Sequence, residues 1–173
     1  MNEILEILKY TVPSLIVFLT AVVIIRNQFK NEEERRRAEI SMANEKTVLP
    51  VRLQAYERLA LLLERISPES IIMRQNLSSM TAKQLQSELL TAIRAEFDHN
   101  LSQQVYISSE AWERIKNTRS NIISLINTAA QQIEPNASAY TLSTKILDMV
   151  MEHRSSLTAP ALEMIKKEIQ QLF

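Results

Sequence analysis

Apolar residues are laid out in two ways along this chain. Residues 10–25 (YTVPSLIVFLTAVVII) carry no charge, whereas from Leu49 onward apolar positions recur at helical spacing among charged ones. The uncharged run predicts a single membrane-spanning helix. Sixteen residues rise about 24 Å as a helix, a little short of a hydrocarbon core of about 30 Å. Lys9 and Arg26 at its ends have stems long enough to reach the interfaces. Pro13 falls in the first turn, where a missing N–H costs least, and Tyr10 is placed for an interfacial aromatic belt. Leu15, Phe18, Val22 and Ile25 complete the anchor. A cleavable signal peptide needs a basic head and small residues at the cut. Here the head MNEILEILK carries Glu3 and Glu6 and the run ends AVVII, so the span is expected to be retained.

Behind a short tail (1–9) and the anchor (10–25), residues 26–47 form a polar stretch with Glu32/Arg35, Glu33/Arg36 and Glu34/Arg37 at i,i+3. Each such pair adds about 0.2–0.5 kcal/mol to an isolated helix, and the stretch is predicted to be a helical stalk. Self-association of the stalk as a coiled coil has weak support, because Ile40 and a few alanines or methionines are its apolar residues. Residues 48–173 are predicted to be one bundle domain. Leu49, Leu53, Tyr56, Ala60 and Leu63 step by four and three, with Leu59, Leu62 and Ile66 widening the stripe, as expected of a central helix. Ser67-Pro68-Glu69 is a stop and restart, serine as N-cap and proline at N1, opening a short helix near Ile71 to Arg74.

Thr81 is expected to cap a helix from Ala82 to about Val105 with Leu85, Leu89, Ile93, Phe97 and Leu101 on one face. Ser108 or Ser109 opens the next, to about Gln132, along a seam of Trp112, Ile115, Arg119, Ile122, Ile126, Ala129 and Ile133. Asn136 is expected to cap a helix through His153, and Thr158 with Pro160 to start the last, with Leu162, Ile165, Ile169 and Leu172 on its apolar face. The fold class is therefore all-α: an N-terminal transmembrane helix and polar stalk, then an antiparallel bundle of four to five helices.

Composition narrows the function. The chain has no glycine, whereas P-loops, dinucleotide-binding turns, nucleophile elbows and EF-hand loops all need backbone that glycine alone allows at low cost. It has no cysteine either, which removes thiol nucleophiles, iron–sulfur clusters, the common structural zinc sites and any lipoprotein anchor. Twenty basic residues balance twenty acidic ones, which argues against a general nucleic-acid binder. Arg26, Lys30, Arg35, Arg36 and Arg37 follow the apolar run and Lys9 precedes it, so the N-terminus is expected outside and the C-terminal domain in the cytoplasm.

Candidate chemistry is sparse. Glu96 and His99 make a Glu-x-x-His, half of the pattern used by di-iron bundles; the only other histidine, His153, has Val150 where the second glutamate belongs. A polar helix face explains the pair better, so neither an enzyme nor a cofactor is expected. Trp112, heading the apolar seam, reads first as core and second as an interaction hot spot. Arg119 interrupts that seam and needs a carboxylate, an exit to solvent or a partner protein. Arg35-Arg36-Arg37 reads as a solvated stalk face beside its glutamates rather than as a lipid or nucleic-acid site.

The segments LPVRLQAYERL (49–59), IRAEFDHNLSQQ (93–104) and SEAW (109–112) resemble a small membrane-anchored, all-helical family of Bacteroidota. The resemblance implies a bacterial inner-membrane location and carries over no catalytic or binding residue. Together these features predict a single-pass inner-membrane interaction or scaffold protein that meets the membrane and an unidentified protein partner, with no small-molecule substrate evident. The alternatives are an accessory subunit of a larger membrane complex and, further off, a metal-dependent helical enzyme around Glu96 and His99.

Overall fold

The structure is a computed structural model that describes residues 2–171 apart from 76 and 153–155; side chains are described from Leu15 onward, except those of residues 41, 44 and 45. Among the described residues every element of three residues or more is helical: α1 (Asn2–Ile66), α2 (Pro68–Met73), α3 (Ala82–His99), α4 (Ser109–Gln131), α5 (Ala139–Glu152) and α6 (Ala159–Gln170), with 3-10 turns at Leu77–Ser79 and Leu101–Tyr106. The stalk and the first bundle helix are thus parts of one helix. Residues 1–49 and 50–173 form two compact units.

In the first unit, Arg37 Nη2 pairs with Glu33 Oε1 at 2.6 Å and Arg35 Nε with Glu39 Oε1 at 3.4 Å. Both pairs lie at i,i+4: Glu33 pairs with Arg37, one residue beyond the expected Arg36, and Arg35 pairs forward with Glu39 instead of back with Glu32. Among the described residues no helix is long and apolar enough to cross a membrane. The predicted span begins at residue 10, and the side chains of Tyr10 and Pro13 lie outside the described set.

The second unit has its own core. Tyr56, Leu59, Leu62, Leu63 and Ile66 of α1 join Leu85, Leu89, Ile93 and Phe97 of α3, Ile115, Ile122 and Ile126 of α4, and Leu142 and Ile146 of α5 in one buried cluster. Burying a side chain of this size is worth about 1.5–3 kcal/mol. Helices α3, α4 and α5 pack on one another, α6 packs on α4, and α2 lies against α3 and α5.

Short-range chemistry sets the helix starts. Ser67 Oγ accepts from the Ser70 amide with Pro68 at the head of α2. Thr81 makes a full capping box: the Gln84 amide donates to Thr81 Oγ1 at 3.3 Å and the Thr81 amide to Gln84 Oε1 at 2.9 Å. Ser108 Oγ accepts from Ala111 at 3.0 Å and starts α4. Thr158 precedes α6, with Pro160 in its first turn and no side-chain cap bond.

Two boundaries differ from expectation. Helix α3 stops at His99 instead of near Val105: buried Asn100 turns its Nδ2 back onto the Glu96 carbonyl at 2.9 Å, and a 3-10 turn follows. Leu101, expected on the apolar face, is consequently exposed. Helix α5 is capped by Ser138, whose Oγ accepts from the Thr141 amide at 3.3 Å, and not by Asn136, which sits in the preceding turn. His153 and Leu172 lie outside the described residues.

The starts of α3 and α5 are stitched together. Thr81 and Ser138 form an antiparallel bridge, in which Ala82 donates to the Ala137 carbonyl at 2.8 Å and Ala139 to the Met80 carbonyl at 3.1 Å. With α3 and α5 starting side by side, α4 returns between them, which is the antiparallel order expected from short connections. The residues closing α2, α3, α4 and α6 have φ between −82° and −105°, none of them left-handed, in keeping with a chain that has no glycine.

Candidate functional site

Arg52 and Tyr56 are one turn apart on α1 and share a face. The ring of Tyr56 is buried in the core cluster while its hydroxyl reaches the edge, where it meets Glu168 of α6 and the loop leading into α4. Arg52 donates from Nε to the Tyr106 carbonyl at 3.3 Å and from Nη2 to the Tyr56 hydroxyl at 3.4 Å. The Tyr56 hydroxyl donates to Glu168 Oε2 at 3.1 Å. Glu168 also accepts from the Ser108 amide at 3.4 Å and, through Oε1, from Ser108 Oγ. Three donors thus converge on one carboxylate.

The group lines an open cleft of about 430 Å³ with Val105, Tyr106, Ile107 and Gln171. Desolvation raises the Tyr56 phenol above its ordinary value of 10.0; the Arg52 hydrogen bond pulls the other way and Glu168 adds to the rise. Tyr56 therefore stays a neutral donor at physiological pH, holding the Glu168 carboxylate in place. Arg52 lines the cleft, and three of its five N–H groups have no hydrogen-bond partner among the described residues.

A second cluster surrounds Arg119. Its guanidinium carbon lies 4.1 Å from the centre of the Phe97 ring, and Phe97 stacks on Trp112 with ring centres 5.2 Å apart. Arg119 Nε is buried without a hydrogen-bond partner among the described residues, and the guanidinium lies over the Phe97 face in a cation–π contact worth about 0.5–2 kcal/mol. Thr118, one position before Arg119 and outside the predicted seam, is buried. Trp112 is 8 % exposed and belongs to the core.

The Glu96 and His99 pair does not assemble into a metal site among the described residues, where no group of three or more potential ligands occurs. Glu96 Oε1 is held by Arg65 at 2.6 Å and Arg74 at 3.7 Å, which ties the end of α1, the end of α2 and α3 together. His99 is exposed. Of the predicted anchor residues, Leu15, Phe18 and Ile25 are exposed and Val22 is half-buried. Sequence reasoning placed Tyr56 in the core stripe but missed the cleft. The i,i+4 spacing of Arg52 and Tyr56 was the one signal available, since Glu168 lies 112 residues from Tyr56.

No curated protein and no solved structure matches the chain. A family model covers residues 2–172, and its description is a family of unknown function, DUF7935. The all-helical chain belongs to that family.

Proposed function

We propose that the protein is a single-pass, membrane-tethered interaction module, with its N-terminus outside and its helical bundle on the cytoplasmic face of a bacterial inner membrane. The observation that carries this reading is the apolar collar on α1. Side chains of residues 15–19 and 23–25 are each at least 51 % exposed, on consecutive positions and hence on every side of the helix. A helix that is apolar all round is suited to lipid or to the inside of a protein assembly, and a contiguous exposed patch of this kind marks an interaction or membrane surface. The uncharged run extends back to Tyr10 in sequence, and helical backbone runs through it.

The basic residues Arg26, Lys30 and Arg36 beyond the collar favour retention on the cytoplasmic side. Tethering confines the bundle to a surface and raises its effective concentration toward membrane-bound partners. Arg119, a cation stacked on Phe97 and not ion-paired with a carboxylate among the described residues, is one side chain suited to meet a partner's acidic group.

Alkaline carbonate extraction of membranes containing the full chain tests the tether. The wild type is expected in the pellet, and a Val17→Arg/Leu19→Arg variant in the supernatant, since an arginine at mid-span costs about 2.5–3.5 kcal/mol. Release of the wild type by carbonate would sink the reading. A C-terminal fluorescent reporter that is bright, paired with an inactive C-terminal phosphatase fusion, is the expected outcome for the orientation.

A further inference from the structure

We infer that the cleft beside Arg52 binds a carboxylate carried on a short apolar body, with the guanidinium taking the carboxylate and Val105 and Ile107 taking the apolar part. This goes beyond the membrane tether and does not depend on it. Two hydrogen bonds, to the Tyr106 carbonyl and the Tyr56 hydroxyl, fix the plane of the Arg52 guanidinium, and three of its five N–H groups remain. Among the described residues Arg52 has no ion-pair partner, in contrast to Arg65 and Arg74, which share Glu96. The nearby carboxylate, Glu168, is already committed to Tyr56 and Ser108. Among the described residues the cation is therefore oriented without being neutralised, and a preorganised donor of this kind loses little entropy on binding.

The rest of the cleft selects the ligand. A guanidinium edge matches a flat carboxylate in two parallel bonds. Glu168, one hydroxyl away, repels a dianion more than a monoanion, which disfavours phosphate. Val105 is 77 % exposed, an apolar side chain at the cleft with little protein over it. At about 430 Å³ the space falls at the small end of ligand pockets, about 300–1,000 Å³.

Two sources present this chemistry: a free branched acid, and the C-terminal residue of a peptide. The full chain in mild detergent is titrated with 4-methylpentanoate and with N-acetylleucine, followed by the amide resonances of Tyr106, Ile107 and Ser108. N-acetylleucinamide and inorganic phosphate are the controls. Saturable shifts with at least one acid and none with the neutral amide are expected. Binding of 4-methylpentanoate, with or without N-acetylleucine, assigns the site to free acids, and binding of N-acetylleucine alone assigns it to peptide ends. Arg52→Gln is expected to weaken binding at least about tenfold, the order of one charge-assisted bond. Because that variant also loses two internal hydrogen bonds, Val105→Asp is the companion: it leaves those bonds intact, sets a competing carboxylate at the cleft, and is expected to weaken binding equally. No saturable shift with either acid, an equal response to the neutral amide or to phosphate, or full affinity in Val105→Asp overturns the assignment.

Discussion

Tyr56 does two jobs with one side chain: its ring fills the core and its hydroxyl holds Glu168. Because its folded pKa is raised above 10.0, the stability it contributes is complete below that ordinary value and is lost as pH climbs through the folded one. Tyr56→Phe keeps the ring and removes the titration. In chemical denaturation the variant is expected to be about 1 kcal/mol less stable than wild type at neutral pH. The gap should hold up to about pH 10 and close above it; no gap at neutral pH would show that the hydroxyl adds nothing to the fold, and a gap that ignores pH would show that its contribution is not tied to the phenol's titration. The ring's place was legible from the stripe of Leu59, Leu63 and Ile66 around it. The hydroxyl's partner was not, because hydrogen bonds between distant helices leave no periodic trace. Arg119 was legible as an oddity, yet its answer, an aromatic face instead of a carboxylate, depends on Phe97 of another helix.

At the level of elements, caps that act within three or four residues were readable, and stops that depend on what the chain does next were not. Ser67, Thr81 and Ser108 start their helices where the sequence places them. Asn100 sits among residues that favour continuing a helix, and its side-chain bond to the Glu96 carbonyl ends α3 early. Asn136 looked like a cap because it follows Pro135, but Ser138 sits two residues on, where the bridge to Thr81 holds the backbone. Thr81→Ala removes one half of the capping box and is expected to cost about 1 kcal/mol, measured as a lower denaturation midpoint with an unchanged slope. Loss of cooperativity instead would mean that Thr81 governs the docking of α3 and α5 and not merely the start of one helix.

For the whole molecule, the all-helical class and the helix-rich second unit followed from spacing together with the absence of glycine, since neither needs knowledge of long-range contacts. The placement of helices against one another did not follow, because stripes tell which face is buried and not which neighbour buries it. The stitch between α3 and α5 shows what that missing layer does. Opening amides of a helix have no partner inside it and normally face water; here Ala82, Lys83 and Ala139 donate to the carbonyls of Ala137, Pro135 and Met80. Their partners lie on the far side of α4 in the chain, so helix formation alone cannot shield them. In hydrogen–deuterium exchange these three amides are expected to slow together, and only when α5 has docked. A collapsed state with every helix formed but undocked would leave them fast while mid-helix amides are already slow, which makes them a built-in clock for the moment the tertiary fold closes.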